Sequence, residues 1–126
     1  MHSAYEKDAT VETLINAWHD AVNNRDLAAA AATVTDPVEV SGPRGTHTIT
    51  AEEFADWIIR SGIRLRPLSA HPVDDVTMVI EQEATWPDNA DAPTPVATLF
   101  KTRDGGLAVI RRFDSLHDAL RAAGAP

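Results

Sequence analysis

Apolar residues at Val11, Leu14, Ile15, Trp18 and Val22 recur at the spacing of one helical face and predict an amphipathic helix over 11–22. Its start has two candidate caps, Ser3 with Glu6 three residues on, or Asp8. Asn23-Asn24-Arg25 reads as a turn, Asp26 as an N-cap and the alanine-rich Leu27 to Val34 as a second, shorter helix. Asp36-Pro37 stops that helix, because the residue before proline is pushed out of helical geometry and proline has no N–H to donate. The period then changes. Val38-Glu39-Val40 alternates, Gly42-Pro43-Arg44-Gly45 is a turn cluster, and His47-Thr48-Ile49 is β-prone, which together predict a hairpin. Thr50 with Glu53 forms a capping box for a third helix bearing Phe54, Trp57 and Ile58 and ending near Ser61-Gly62. Four longer strands follow at 63–73, 76–86, 95–102 and 107–113, with tight turns at Asp74-Asp75 and Asp104-Gly105-Gly106 and a longer polar loop from Pro87 to Pro95. Ser115 with Asp118 marks a last capped helix over 116–123. This order predicts an α+β fold with helices packed on one face of an antiparallel sheet.

Composition narrows the function classes. The 126 residues are one domain's worth, and 44% hydrophobic with 24% charged content suits a globular chain rather than a disordered one. Eleven Lys plus Arg against nineteen Asp plus Glu give a net charge of −8, which opposes capture by nucleic acid or an anionic membrane surface. The absence of cysteine excludes disulfides, thiolate metal sites and thiol nucleophiles. His2, His19, His47, His71 and His117 include no pair at ligand spacing, so neither a metal nor another cofactor is expected. Gly105-Gly106 joins two strands rather than a strand and a helix, and so cradles no phosphate; there is no Gly-x-Ser-x-Gly elbow. With no apolar leader at the start and no uncharged stretch of membrane-spanning length, a cytoplasmic protein is expected.

Several motifs, taken in order, carry a resemblance: Asn24-Arg25-Asp26-Leu27 after the first helix, Asp36-Pro37-Val38-Glu39-Val40 at the first strand, Phe54 and Trp57 on the third helix, and Phe100 to Phe113 around Asp104-Gly105. Over about Thr10 to Leu120 the chain resembles the nuclear transport factor 2-like superfamily, in particular its SnoaL-like and ketosteroid-isomerase-like bacterial members. The resemblance implies a cone: a strongly curved antiparallel sheet wrapped around a long helix, with three helices in the N-terminal half, a short C-terminal helix and an apolar pocket at the wide end. It also implies a homodimer. Where the isomerases resembling this chain carry a tyrosine, a base aspartate and a protonated aspartic acid, this sequence has Trp18, Ser41 or a neighbour, and a residue near Thr98. None of these is an acid or base, which argues against ketosteroid-isomerase chemistry.

The pattern also nominates site residues. In 76–86 a period of two places Val76, Met78, Ile80, Gln82, Ala84 and Trp86 on the face better suited to the core. Gln82 there needs a partner, as either a satisfied core amide or a ligand anchor. Trp18, Trp57 and Trp86 suit either an ordinary core or the wall of a pocket for a flat apolar ligand. His19, beside Trp18, is expected to point toward solvent or a partner subunit. His71, if it faces inward, is the best general base; Asp114, grouped with Arg112 on one strand face, is the other, or else assists the cap at Ser115. Arg112 could polarise a ligand oxygen, and Arg44 at the hairpin tip could grip a carboxylate. Two functions fit: a binding or accessory module for a small hydrophobic or aromatic ligand, or an acid–base enzyme (cyclase, isomerase, dehydratase or hydrolase) using His71 or Asp114.

Overall fold

The computed structural model describes residues 11–42, 45–89 and 91–124. Helix α1 (Val11–Asn23) buries the predicted stripe and, along with it, His19 and Ala21. The candidate caps Ser3, Glu6 and Asp8 lie outside the described residues. The chain reverses at Arg25, whose φ is +57°, and the Asp26 side chain accepts from the Ala29 N–H to cap α2 (Leu27–Ala32). This helix ends before the alanine-rich run predicts: Thr33 caps it and the buried Val34 opens β1 (Val34–Gly42), paired with Leu107. Pro37 therefore lies inside a strand. The register of β1 against its neighbour shifts between Val34 and Glu39, where proline has no N–H to give the ladder.

The hairpin completes with β2 (Gly45–Ile49). Helix α3 (Ala51–Arg60) begins with the predicted capping box: Thr50 Oγ1 accepts from the Glu53 N–H at 3.0 Å and Glu53 Oε1 accepts from the Thr50 N–H at 2.9 Å. Then come β3 (Arg64–Pro72), β4 (Thr77–Thr85), a 3-10 turn at Pro87–Asn89, β5 (Thr94–Arg103), β6 (Gly106–Phe113) and α4 (Leu116–Ala122), the last capped by Ser115 as expected. Among the described residues six strands form one sheet in the order β2-β1-β6-β5-β4-β3. Neighbours run antiparallel except β1 and β6, which are parallel. β2, α3 and the strands β3 to β5 separate β1 from β6 along the chain, long enough for a crossover connection.

The two sheet faces bury different things. The inner face packs Leu65, Met78, Ile80, Ala84, Val96, Phe100 and Ile110 against Val11, Ile15, Trp18 and Val22 of α1 and Phe54 and Ile58 of α3. The outer face packs a smaller cluster, Val79, Ala97 and Leu99, under Leu116, Ala119 and Leu120 of α4. Two contacts fix α1 and α3 over the inner face. Asn23 bonds both the N–H (2.9 Å) and the carbonyl (2.8 Å) of Leu65, tying the end of α1 to β3. Gly62, at φ +72°, turns α3 into β3 so close to Pro87 that a Cβ would stand 2.6 Å from its ring.

Candidate functional site

Between the inner sheet face and the helices lies a cavity of about 740 Å³. Trp18 comes from α1, Phe54, Trp57 and Ile58 from α3, Val40 and Ser41 from β1, His47 and Ile49 from β2, Thr98 from β5, and Ile110 and Arg112 from β6. Trp86 and Leu65 line it from the far edge of the sheet. The deeper wall is apolar and aromatic: Trp18 stacks on Phe54 at 6.4 Å between ring centroids and meets Phe100 edge-on at 5.2 Å. Trp57 stays 53% exposed, an aromatic ring left at the mouth instead of being packed away. Arg112 lies 5.6 Å above the Trp86 ring, a cation–π pair, and forms no ion pair among the described residues. Glu53 also reaches the wall, fully exposed; its bonds from the Thr50 backbone N–H, first, and then the Thr50 hydroxyl hold its carboxyl below the ordinary range.

The positions nominated by the resemblance converge here. Trp18, Ser41 and Thr98 all line the cavity. Trp57, Trp86 and Arg112 line it as well, while Arg44, next to the lining residue Gly45, lies outside the described residues.

His71 does not face inward. A bulge between Pro67 and Ser69 breaks the alternation of β3, so Leu65, paired with Ala84, is buried on the inner face, whereas His71, paired with Val79, points to the outer one. There its Nε2 is 2.8 Å from Ser69 Oγ, which donates to Glu81 Oε1 at 3.1 Å. Asp114 is likewise away from the cavity. It follows the last residue of β6, so strand alternation does not carry it onto the face of Arg112, and it is exposed in the bend before α4.

Gln82 is fully buried and is not itself in the cavity wall. Its Nε2 donates to His19 Nε2 at 2.7 Å and its Oε1 accepts from Thr98 Oγ1 at 2.7 Å, so its amide has partners at both ends. His19, expected toward solvent or a partner subunit, is only 4% exposed, with Nδ1 2.9 Å from the Ile15 carbonyl. The signal was present: His19 is four residues after Ile15 and three before Val22, within the apolar stripe. Desolvation holds its pKa below the ordinary 6.5, outweighing the Ile15 carbonyl and Asp20, which push it up. His19 also borders a smaller cavity of about 230 Å³ between α1 and β3. Among the described residues no cluster of His, Asp and Glu could hold a metal ion.

No family profile matches the chain, and no curated protein matches it. Solved structures do. A nuclear transport factor 2-like protein of unknown function from Cytophaga hutchinsonii superposes with a TM-score of 0.74 at 12% identity, covering 86% of this chain and 93% of that one. A protein from Xanthomonas campestris provisionally named a polyketide cyclase gives 0.69 at 20% identity, covering 86% and 92%. One from Kribbella flavida provisionally named a ketosteroid isomerase gives 0.70 at 16%, covering 86% and 80%. The fold is the nuclear transport factor 2-like, or cystatin-like, α+β fold, a curved open sheet with helices in the N-terminal half.

Proposed function

We propose that the chain is a binding or accessory module for a small, flat, hydrophobic or aromatic ligand carrying a carboxylate or carbonyl oxygen. The carrying observation is the cavity of about 740 Å³, aromatic in its depth, with the Arg112 guanidinium spread over Trp86 in its wall. That volume suits a drug-sized molecule, and a guanidinium with no carboxylate partner among the described residues offers paired donors to an anionic or polarised oxygen. The places where the isomerases carry a tyrosine, a base aspartate and a protonated aspartic acid fall on Trp18, on Ser41 or a neighbour, and near Thr98, and Trp18, Ser41 and Thr98 in the cavity wall suit retention of a ligand better than proton transfer. We propose a cytoplasmic location and, on the resemblance, a homodimer; among the described residues no helix is long and apolar enough to cross a membrane.

The test is a calorimetric titration with 2-naphthoate. Saturable binding in the micromolar range is expected, weakened about tenfold in Arg112→Gln by loss of a charge-assisted hydrogen bond, with an unchanged Tm. Absence of saturable heat in the wild type would sink the reading.

A second reading is acid–base chemistry on a small apolar substrate. The names of the structural neighbours favour it, as do His47 and Glu53 in the cavity wall. Neither His71 nor Asp114 is placed to serve as its base. Turnover that survives His71→Gln and disappears in His47→Gln would replace the binding reading with this one.

A further inference from the structure

The buried chain His19–Gln82–Thr98 has a direction, and that direction reaches the ligand. The Ile15 carbonyl can only accept, so the proton of the His19 ring is on Nδ1 and its Nε2 presents a lone pair. Only the amide nitrogen of Gln82 can donate to that lone pair; turning the amide over would set its oxygen against it. The Gln82 oxygen thereby faces Thr98 and, being unable to donate, takes the hydroxyl proton. Each 2.7 Å contact in the chain thus has one allowed polarity. Thr98 is left with lone pairs and no proton to offer.

Thr98 is a cavity residue, directly across the β5–β6 ladder from Arg112. Trp18, on the same wall, holds an indole N–H that is buried with no hydrogen-bond partner among the described residues. The cavity wall therefore offers the Thr98 oxygen as an acceptor, while the Trp18 indole N–H is closed off beneath it. A ligand hydroxyl, which can donate, is complementary to Thr98; an ether or ketone oxygen is not.

We infer that Thr98, with its hydroxyl proton locked toward Gln82 by neutral His19, selects ligands that carry a hydroxyl at their buried end, so that the ligand class is hydroxylated aromatic acids. The inference rests on the cavity reading above and narrows its ligand. Gln82 and His19 act as positioning residues, since they reach the ligand only through Thr98. In such a site an analogue lacking the donor leaves a buried acceptor unpaired, which is where large discrimination arises.

The test compares 6-hydroxy-2-naphthoate with 6-methoxy-2-naphthoate by calorimetry at pH 8, alongside ¹⁵N spectra of the histidine rings. Wild type is expected to bind the hydroxy acid about tenfold tighter or more. Thr98→Val should bring the ratio near unity, Thr98→Ser should preserve it, and His19 should show a protonated Nδ1 and a bare Nε2. Equal or tighter binding of the methoxy acid by wild type would overturn the inference and leave the cavity reading standing. Binding of neither probe would overturn both. A His19 proton on Nε2 would reverse the chain and overturn the inference whether or not the Thr98 variants fold.

Discussion

His19 and His71 make an instructive pair, since each is bonded to two polar side chains in sequence and the two lie on opposite faces of one sheet. On the inner face His19, Gln82 and Thr98 are each at most 4% exposed, and the bonds of the row satisfy polar groups that burial withdraws from bulk solvent. On the outer face His71, Ser69 and Glu81 form a comparable row, yet all three are half-buried and solvent can replace any member. The apolar clusters differ in size and not in burial, the larger one lying under α1 and α3 and the smaller one under α4. Burial, rather than residue type, converts a hydrogen-bonded row into a specificity device. A surface row can reorient at little cost; a buried one has a single satisfied arrangement.

The comparison breaks most sharply at Gln82. Gln82→Leu leaves the His19 lone pair and the Thr98 hydroxyl buried without partners, and should destabilise the fold by about 2–4 kcal/mol in urea unfolding, whereas Glu81→Gln on the outer face should change it by less than about 1 kcal/mol. Equal losses from the two would remove the distinction between faces.

A smaller effect is expected from pH. Because burial lowers the His19 pKa in the folded chain, the unfolded chain takes up the proton first as pH falls. Stability is complete above the ordinary value of 6.5 and is lost as pH falls from there to the folded-state pKa. Thermal melts between pH 8 and pH 5 should show this decline, and the difference between wild type and His19→Gln isolates the His19 share. A decline of equal size in the variant would mean that His19 is not its source.

The smallest effect belongs to Arg66 and Glu83, whose 2.8 Å ion pair holds an arginine side chain that is 72% exposed. Arg66→Gln should cost no more than about 0.5–1 kcal/mol and lose even that in high salt. A larger loss would show that the pair is held by more than its exposed geometry.

The elements were legible because their signals are local. A capping box at Thr50 and Glu53, the Ser115 cap, the apolar stripe of α1 and the Asp104-Gly105 turn each act over a few residues, and each stands where the pattern places it. The core face of β4 was legible too, since that strand alternates without interruption through Met78, Ile80, Gln82 and Ala84. What the local pattern left open was decided between elements far apart in the chain. The bulge at Pro67 and Ser69 shifts β3 by one residue against β4, and one residue suffices to send His71 to the opposite face from Leu65. His19 counted as polar until α1 was laid on the sheet, where Gln82, sixty-three residues away, supplies a donor that its ring nitrogen accepts. Spacing along a chain reports which residues can share a face. Which face lines the cavity, and which polar groups must then satisfy one another, follows only from strand register and helix docking, because burial is a property of the packed surface and not of the residue.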